Sequence, residues 1–139
     1  RAIRTYRIIN LAYRIVTEGD FTLGSGQDAA KKIMCQAKPP TALFCMSDQM
    51  AMGAIQALQA QGVQIPQQVS IVGFDNIAYA EFWHPTITTV SQPAEEMGKR
   101  AVDMLVSIIE GKEFTHESKI LPTQLIVRDS SGAAPKDPA

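Results

Sequence analysis

The chain has 139 residues, of which 45% are hydrophobic and 19% are charged, and its formal net charge is -1. This length allows one globular domain with its own core but not two full domains. The nearly neutral charge argues against a nucleic-acid-binding surface on this chain, because such domains usually carry a marked excess of lysine and arginine.

The stretch from residue 1 to 15 is locally basic, and we interpret its arginines as a solvated helix edge in preference to a phosphate-binding arm. Two cysteines, Cys35 and Cys45, are too few for a secreted disulfide framework, so both are expected to be buried free thiols. No apolar run is long enough for a membrane span, and no signal peptide is recognisable. These features favour a reducing, cytoplasmic setting, and the absence of an initial methionine suggests a fragment of a larger protein.

The first half of the chain alternates between helical and strand periods. A helix is predicted over residues 24–36, with Ser25 available as its N-cap, and an apolar strand is predicted over residues 41–46. A second helix ends at Gly62, and the next strand covers residues 69–74. Strand, helix and strand with short turns form a βαβ unit, which predicts a parallel sheet covered by helices on both faces.

The second half contains a short predicted strand over residues 87–90 and a strong helix over residues 93–111. The helix carries one apolar stripe, formed by Met97, Ala101, Met104, Leu105 and Ile108. A last strand is predicted at residues 125–127. The remaining residues, 129–139, have nothing apolar to pack and are predicted to be a loose tail.

Polar residues follow two of the predicted strands at the point where each strand ends. Ser47 and Asp48 follow the first strand, and Asp75 and Asn76 follow the second. Ligands of open parallel sheets collect at the carboxyl ends of the strands, where a carboxylate can accept hydrogen bonds from vicinal hydroxyls or from heterocycle N–H groups. Capping of the next turn explains Asp75 equally well, and it explains Ser47 and Asp48 better. Both roles therefore stay open for Asp75.

Aromatic residues lie in two predicted loops. Phe21 precedes the first helix, where its ring could stack on a flat ligand or an apolar sugar face, or plug the helix locally. Phe82 and Trp83 are adjacent, and the residues alone favour local core for them. The sequence contains no nucleophile elbow, metal-spaced His/Cys cluster or glycine-rich phosphate loop, so it predicts no enzyme, cofactor or metal.

Three blocks of the sequence, in order, closely resemble the effector-binding domain of the lactose-repressor family of bacterial transcription regulators. The blocks are EGDFT, the segment from PPTALFCMSDQ to SIVGFDN, and PTITTVSQP. The resemblance extends from about Glu18 to Ser131. Within the family, GDFT and FCMSD are most similar to the members that respond to cytidine, with the purine-responsive members as near neighbours.

The resemblance implies an α/β fold of the type I periplasmic-binding-protein kind, with a parallel sheet flanked by helices. The fold would be incomplete and would consist mainly of the C-terminal subdomain, residues 18–91 and 119–131. Residues 92–118 would supply a helix that belongs to the otherwise missing N-terminal subdomain. Residues 1–17 diverge from the family pattern, and residues 132–139 would form a disordered tail.

The family's functional positions can be carried over residue by residue. By this resemblance, Phe21 would stack on the effector, Asp75 would hydrogen-bond it and Ser47 would face the pocket. Gln92 matches a glutamine that lies at the crossover between the subdomains, near the ligand.

Two further features of the family bear on this sequence. By the same resemblance, Met52, Phe82 and Trp83 would belong to the interface of a homodimer, where a partner would cover the exposed aromatic rings. An arginine upstream of the GDF motif also contacts effector in family members. Whether Arg1, Arg4 or neither replaces it stays open.

The predicted function is therefore effector sensing within a bacterial repressor. A small ligand, a cytidine-like nucleoside in preference to a sugar, would change the angle between the subdomains and so the spacing of the DNA-binding heads. Operator DNA would be bound only through a missing helix-turn-helix, and no membrane partner is expected. The alternatives are a sugar- or nucleoside-binding transport protein of the same architecture and a phosphoacceptor receiver domain, whose acidic pair and lysine cannot be placed convincingly.

Overall fold

A computed structural model describes residues 16–111 and 118–135 of the chain. Its elements, in chain order, are helix α1 (Leu23–Met34), strand β1 (Ala42–Phe44), helix α2 (Asp48–Ala60), strand β2 (Ser70–Asp75), a short 3-10 helix (Ala78–Glu81), strand β3 (Thr88–Ser91), helix α3 (Ala94–Ile109) and strand β4 (Gln124–Ile126). Each predicted helix and strand is confirmed close to its predicted position. The candidates Arg1 and Arg4 lie outside the described residues.

The four strands form one sheet in the order β1-β2-β3-β4. Strands β1, β2 and β3 are parallel to one another, which confirms the predicted βαβ unit. Strand β4 is antiparallel to β3, with Gln124 beside Ser91. The chain enters β4 at the edge where β3 ends, so β4 has to run in the opposite direction. The α/β fold is thus confirmed, with a mixed sheet in place of a wholly parallel one.

The core lies between α2 and one face of the sheet. Ile55 and Leu58 of α2 are fully buried in the same cluster as Ile71 of β2. The opposite face carries Phe44, whose ring meets Phe74 edge to face and stays more than half exposed. Helix coverage was predicted for both faces, and the described residues provide it on one.

Helix α1 packs on α2 through two glycines that allow the backbones to touch. A Cβ on Gly26 would lie 2.1 Å from the carbonyl oxygen of Met50, and a Cβ on Gly53 would lie 1.9 Å from that of Leu23. Any side chain at either position would therefore force the helices apart. Because these contacts join the N-terminal halves of both helices, the loop before α1 lies near the start of α2.

The ends of the first two helices show two differences from expectation. Thr22, not Ser25, is the N-cap of α1, and its hydroxyl accepts a hydrogen bond from the Ser25 amide at 3.2 Å. Cys35 lies at the end of α1 and is exposed, while Cys45 is buried as predicted. Helix α2 ends before Gly62, whose φ of +80° suits the predicted glycine stop.

Part of the predicted tail, residues 129–139, is instead held against the sheet. The side chain of Ser130 is fully buried, and its hydroxyl donates to the carbonyl of Ile71 at 2.6 Å and accepts from the amide of Thr88 at 2.9 Å. The prediction was wrong because it considered only apolar packing, whereas a serine can pair with strand backbone through its hydroxyl. Residues 136–139 lie outside the described part of the chain.

Helix α3 contributes no buried residue to the fold. Val102, Leu105 and Ile109 are among its exposed apolar side chains. Its assignment to a second subdomain stays a prediction. Within residues 16–111 and 118–135, no helix combines the length and the apolar character needed to cross a membrane.

The contact between α1 and α2 can be tested with Gly53→Ala. The added methyl group would meet the Leu23 carbonyl, so we expect the free energy of unfolding to fall by about 1–3 kcal/mol. The matched control is Gly24→Ala, where a Cβ meets nothing closer than 3.9 Å and alanine favours the helix. Urea denaturation followed by circular dichroism compares the two variants. Equal stability of the two variants would contradict the close packing of these helices.

Candidate functional site

The carboxyl ends of the three parallel strands lie at one edge of the sheet, and two of the predicted site residues meet there. Asp75 is the last residue of β2, and Gln92 directly follows β3. The side-chain amide of Gln92 donates a hydrogen bond to Asp75 Oδ1 at 2.6 Å. Both residues are half-buried, so the pair is accessible from this edge.

The chain leaves β2 through an unusual turn. Asp75 has a φ of 107° and Asn76 a φ of 54°, so two consecutive residues that are not glycine lie in the left-handed region. Aspartate and asparagine are among the residues that enter this region most readily, yet the conformation still needs support from neighbouring groups.

One source of support is Asp48, a carboxylate that lies under the turn with 1% of its surface exposed. Its Oδ1 accepts a hydrogen bond from the Thr89 hydroxyl at 2.5 Å, and its Oδ2 accepts one from the Ile77 amide at 2.8 Å. Burial raises the pKa of the Asp48 carboxyl, and these two hydrogen bonds oppose that rise. Asp48 therefore connects α2 to β3 and to the chain that follows β2.

The space for this carboxylate comes from Gly73 in β2. A Cβ at that position would lie 2.2 Å from Asp48 Oδ1, well inside van der Waals contact. Strand β2 thus lacks a side chain at the one position where the carboxylate must approach the sheet.

Arg128 is a second source of support for the turn at Asp75 and Asn76. Its Nη2 donates to Asn76 Oδ1 at 3.0 Å and to Glu81 Oε1 at 2.9 Å. Its Nη1 donates to the carbonyl oxygen of Ile87 at 2.9 Å. The side-chain amide of Asn76 in turn donates to Ser91 Oγ at 3.3 Å. Asn76 is therefore fixed to β3 and, through Arg128, to the 3-10 helix.

Ser47 has the capping role that its sequence position favoured. Its hydroxyl accepts a hydrogen bond from the Met50 amide at 3.2 Å, and 5% of the residue is exposed. Its predicted contact with an effector stays a prediction. Cys45, two residues earlier, is buried, and this burial raises the pKa of its thiol to about 12. The thiol therefore stays protonated at neutral pH.

Phe21 is presented by a loop that its neighbours hold in place. The residue is 58% exposed and has a φ of 67°. The Asp20 carboxylate accepts hydrogen bonds from the Thr22 hydroxyl at 2.6 Å and the Thr22 amide at 3.1 Å, and the Asp20 amide donates to Ser25 Oγ at 3.2 Å. More than half of the surface of Phe21 is therefore free to contact another molecule.

This loop lies at the same edge of the sheet as Asp75. A Cβ on Gly19 would lie 2.3 Å from the terminal methyl of Met50, which is in the first turn of α2. Since α2 begins just after the carboxyl end of β1, Phe21 is at the strand-end edge. Phe21 thus lies at the same edge of the sheet as the pair of Asp75 and Gln92.

The three residues predicted for a dimer interface differ in their exposure. Met52 is 4% exposed and belongs to the core, so in this structure it has almost no free surface to offer a partner. Trp83 is half-buried and packs against the core, in line with the interpretation from the residues alone. Phe82 is 83% exposed, and nearby Tyr79 is exposed as well. Of the three, Phe82 has the surface that an interface needs.

Sequence reasoning did not identify Thr89 and Arg128 as parts of the site. Two signals were available: Thr89 is a hydroxyl residue in a strand predicted to be buried, and Arg128 is a cation two residues after β4. Buried polar groups need hydrogen-bond partners, so each of them could have been expected to bond to a neighbouring segment. Asp48 was interpreted as a cap in preference to a ligand-binding residue, although the cap of α2 is its neighbour Ser47.

Residues 2–131 match the family described as periplasmic binding protein-like domain, and the chain belongs to that family. Within it, the chain corresponds to part of the effector-binding domain of LacI-family repressors.

The chain is 38% identical over 120 residues to the HTH-type transcriptional repressor CytR of Escherichia coli K12, and 43% identical over 121 residues to the HTH-type transcriptional repressor PurR of Pectobacterium atrosepticum. Each match covers 86% of this chain and 35% of the relative, so the chain spans about a third of those proteins. It also resembles the structure of a LacI family transcriptional regulator from Enterococcus faecium with bound ribose. The TM-score there is 0.74 at 31% identity, covering 86% of this chain and 43% of that one.

The loop that carries Phe21 can be tested through its neighbour Asp20. Hydrogen bonds, first from the Thr22 hydroxyl and then from Ser25, lower the pKa of Asp20 from 3.8 to about 2. Their stabilising contribution is therefore present above pH 3.8 and is lost as the pH falls through about 2. In a carbon-13 NMR titration, we expect Thr22→Ala to raise this pKa and the matched control Thr22→Ser to keep it low. An unchanged pKa in Thr22→Ala would contradict the bonding described for this loop.

Proposed function

We propose that this chain is the effector-sensing and dimerisation part of a bacterial transcriptional repressor whose ligand is a nucleoside of the cytidine type. The observation that carries the proposal is the meeting of Asp75 and Gln92 at the strand-end edge, where Phe21 is also exposed. The names of the relatives, CytR and PurR, support the repressor class.

The chemistry of the edge suits a polar ring compound. Gln92 occupies Asp75 Oδ1, and within the described residues the second carboxylate oxygen has no hydrogen-bond donor. It can therefore accept from a vicinal ribose hydroxyl or from an N–H group of a base, and bonds to an ionised acceptor are stronger than neutral ones. Phe21 would stack on the base. Ser47 would reach a ligand only where that ligand penetrates to the start of α2.

A free pentose is the second candidate ligand, because the similar regulator from Enterococcus faecium holds ribose. Ribose offers the hydroxyl groups that a carboxylate can bind, but its small sugar face gives an aromatic ring less to stack on than the flat face of a base does. The exposure of Phe21 at the same edge as Asp75 therefore favours a nucleoside over the sugar alone.

In the whole protein, ligand contacts that differ between open and closed states would shift the angle between two subdomains. Helix α3, which is not buried here, would belong to the second subdomain. A homodimer in the cytoplasm, with Phe82 at its interface, would transmit the change to a DNA-binding domain outside this chain. Residues 1–139 alone would not bind operator DNA.

The role of Asp75 can be tested on the chain itself by titrating the nitrogen-15-labelled protein with cytidine. We expect amide shifts at Asp75, Asn76 and Gln92, and an affinity about tenfold or more weaker in Asp75→Asn, because a bond to a charged group is lost. The matched control Asp28→Asn changes an exposed carboxylate on α1 and should bind normally. Unchanged binding by Asp75→Asn would remove Asp75 from the site.

The choice between nucleoside and sugar can be tested with Phe21→Leu. Leucine keeps an apolar side chain but has no ring face, so we expect the affinity for cytidine to fall severalfold and that for ribose to fall less. The same titration with both ligands provides the comparison. An equal loss for the two ligands would contradict stacking on the base and would favour a general effect on the loop.

A further inference from the structure

We infer that Asp48 is a positioning residue of the effector site. Its buried carboxylate would hold the turn at residues 75–77 and so set the direction in which Asp75 presents its own carboxylate to the ligand. The inference rests on the proposed function, because it concerns the same site. Asp48 is 1% exposed and has no surface with which to touch a ligand itself.

The bonds of Asp48 argue against a role in capping its own helix. Asp48 is the first residue of α2, but the capping bond from the Met50 amide goes to the hydroxyl of Ser47. Both bonds to the Asp48 carboxylate come from elsewhere: one from Thr89 in β3 and one from Ile77 beyond β2. The carboxylate therefore acts on the sheet edge, and α2 serves as its rigid base.

The Thr89 hydroxyl extends this control to the middle of the turn. A hydroxyl has one hydrogen, and Thr89 donates it to Asp48 Oδ1. Its oxygen lone pairs are then available to accept the Asn76 amide, which lies 3.3 Å away. Both amides that follow Asp75 are thus held by the pair of Asp48 and Thr89.

These two bonds fall where the backbone most needs support. Asp75 and Asn76 both have left-handed φ angles, a conformation that relaxes unless the surroundings determine it. If the amides of Asn76 and Ile77 were released, the turn could return to ordinary conformations. The Asp75 carboxylate would then leave Gln92. Only part of the population would be ready to bind, and the apparent affinity would fall in proportion to that binding-competent fraction.

The local electrostatics also favour a functional role over a stabilising one. Within the described residues, Asp48 has no direct ion pair, and its burial disfavours the charged form of its carboxyl. The nearby Asp75 adds like-charge repulsion, which the positive charge of Arg128 opposes. Strand β2 also has a glycine, Gly73, at the position where a side chain would clash with the Asp48 carboxylate. Sites that break local rules of stability in this way are often functional ones.

The test compares Asp48→Asn with the wild-type chain in two measurements. Amide hydrogen exchange reports directly on the Ile77 bond, and titration with cytidine reports on the site. We expect the Ile77 amide of the variant to exchange about tenfold faster and the affinity for cytidine to fall about tenfold. The control Leu58→Ala removes a fully buried side chain from the last turn of α2, away from the strand-end edge, so it should keep the wild-type affinity under conditions in which it remains folded.

A second variant, Thr89→Val, keeps the shape of residue 89 and removes its hydroxyl. We expect this variant to increase the hydrogen-exchange rate of the Asn76 amide and to weaken cytidine binding. It provides the test of the positioning role if Asp48→Asn fails to fold. Normal cytidine binding by Asp48→Asn, alongside loss of binding in Asp75→Asn, would overturn the positioning role and leave the proposed function standing. Absence of cytidine binding by the wild-type chain would overturn both.

Discussion

A buried carboxylate connects the three segments on which the candidate site depends. Asp48 lies on α2, accepts a hydrogen bond from Thr89 of β3 and accepts another from Ile77 after β2. Parallel strands bring their carboxyl ends to one edge, but this topology alone does not fix the direction of a side chain there. The Asp48 bonds supply that missing constraint. The left-handed turn at Asp75 and its contact with Gln92 follow from it.

Two kinds of residue lie at the strand-end edge: residues that stabilise the fold, and residues that remain available to a ligand. Ser47 caps α2, and Arg128 joins the turn to the 3-10 helix and to Ile87. Asp75 and Phe21, in contrast, retain exposed surface, and each has a left-handed φ angle in a segment that its neighbours hold in place. Binding groups that are fixed before the ligand arrives lose less conformational entropy on binding. A pre-formed edge of this kind is what a sensor of small ligands requires.

Most of the architecture could be predicted from the sequence, because each element has its own period and stop signals. Gly62 ends α2 as predicted, and the pairing of Asp75 with Gln92 agrees with their shared position at strand ends. What could not be predicted depends on register between distant segments. Thr89 is 41 residues from Asp48, and Ser130 is 59 residues from Ile71. No local pattern states which hydroxyl will face which partner. The same limit explains why the exposure of Phe82, which follows the 3-10 helix, could not be predicted from the residues alone.

In the proposed mechanism, Asp75 recognises a small ligand at the strand-end edge, and the buried carboxylate of Asp48 sets the direction of Asp75. A crystal structure of this chain with cytidine would show both features at once. We expect a ribose hydroxyl or a base N–H within about 3 Å of the Asp75 carboxylate. We also expect the base to lie against Phe21 and the bonds of Asp48 to Thr89 and Ile77 to remain intact. Cytidine bound at another surface, or bound to Asp75 while the Asp48 bonds are broken, would contradict this mechanism.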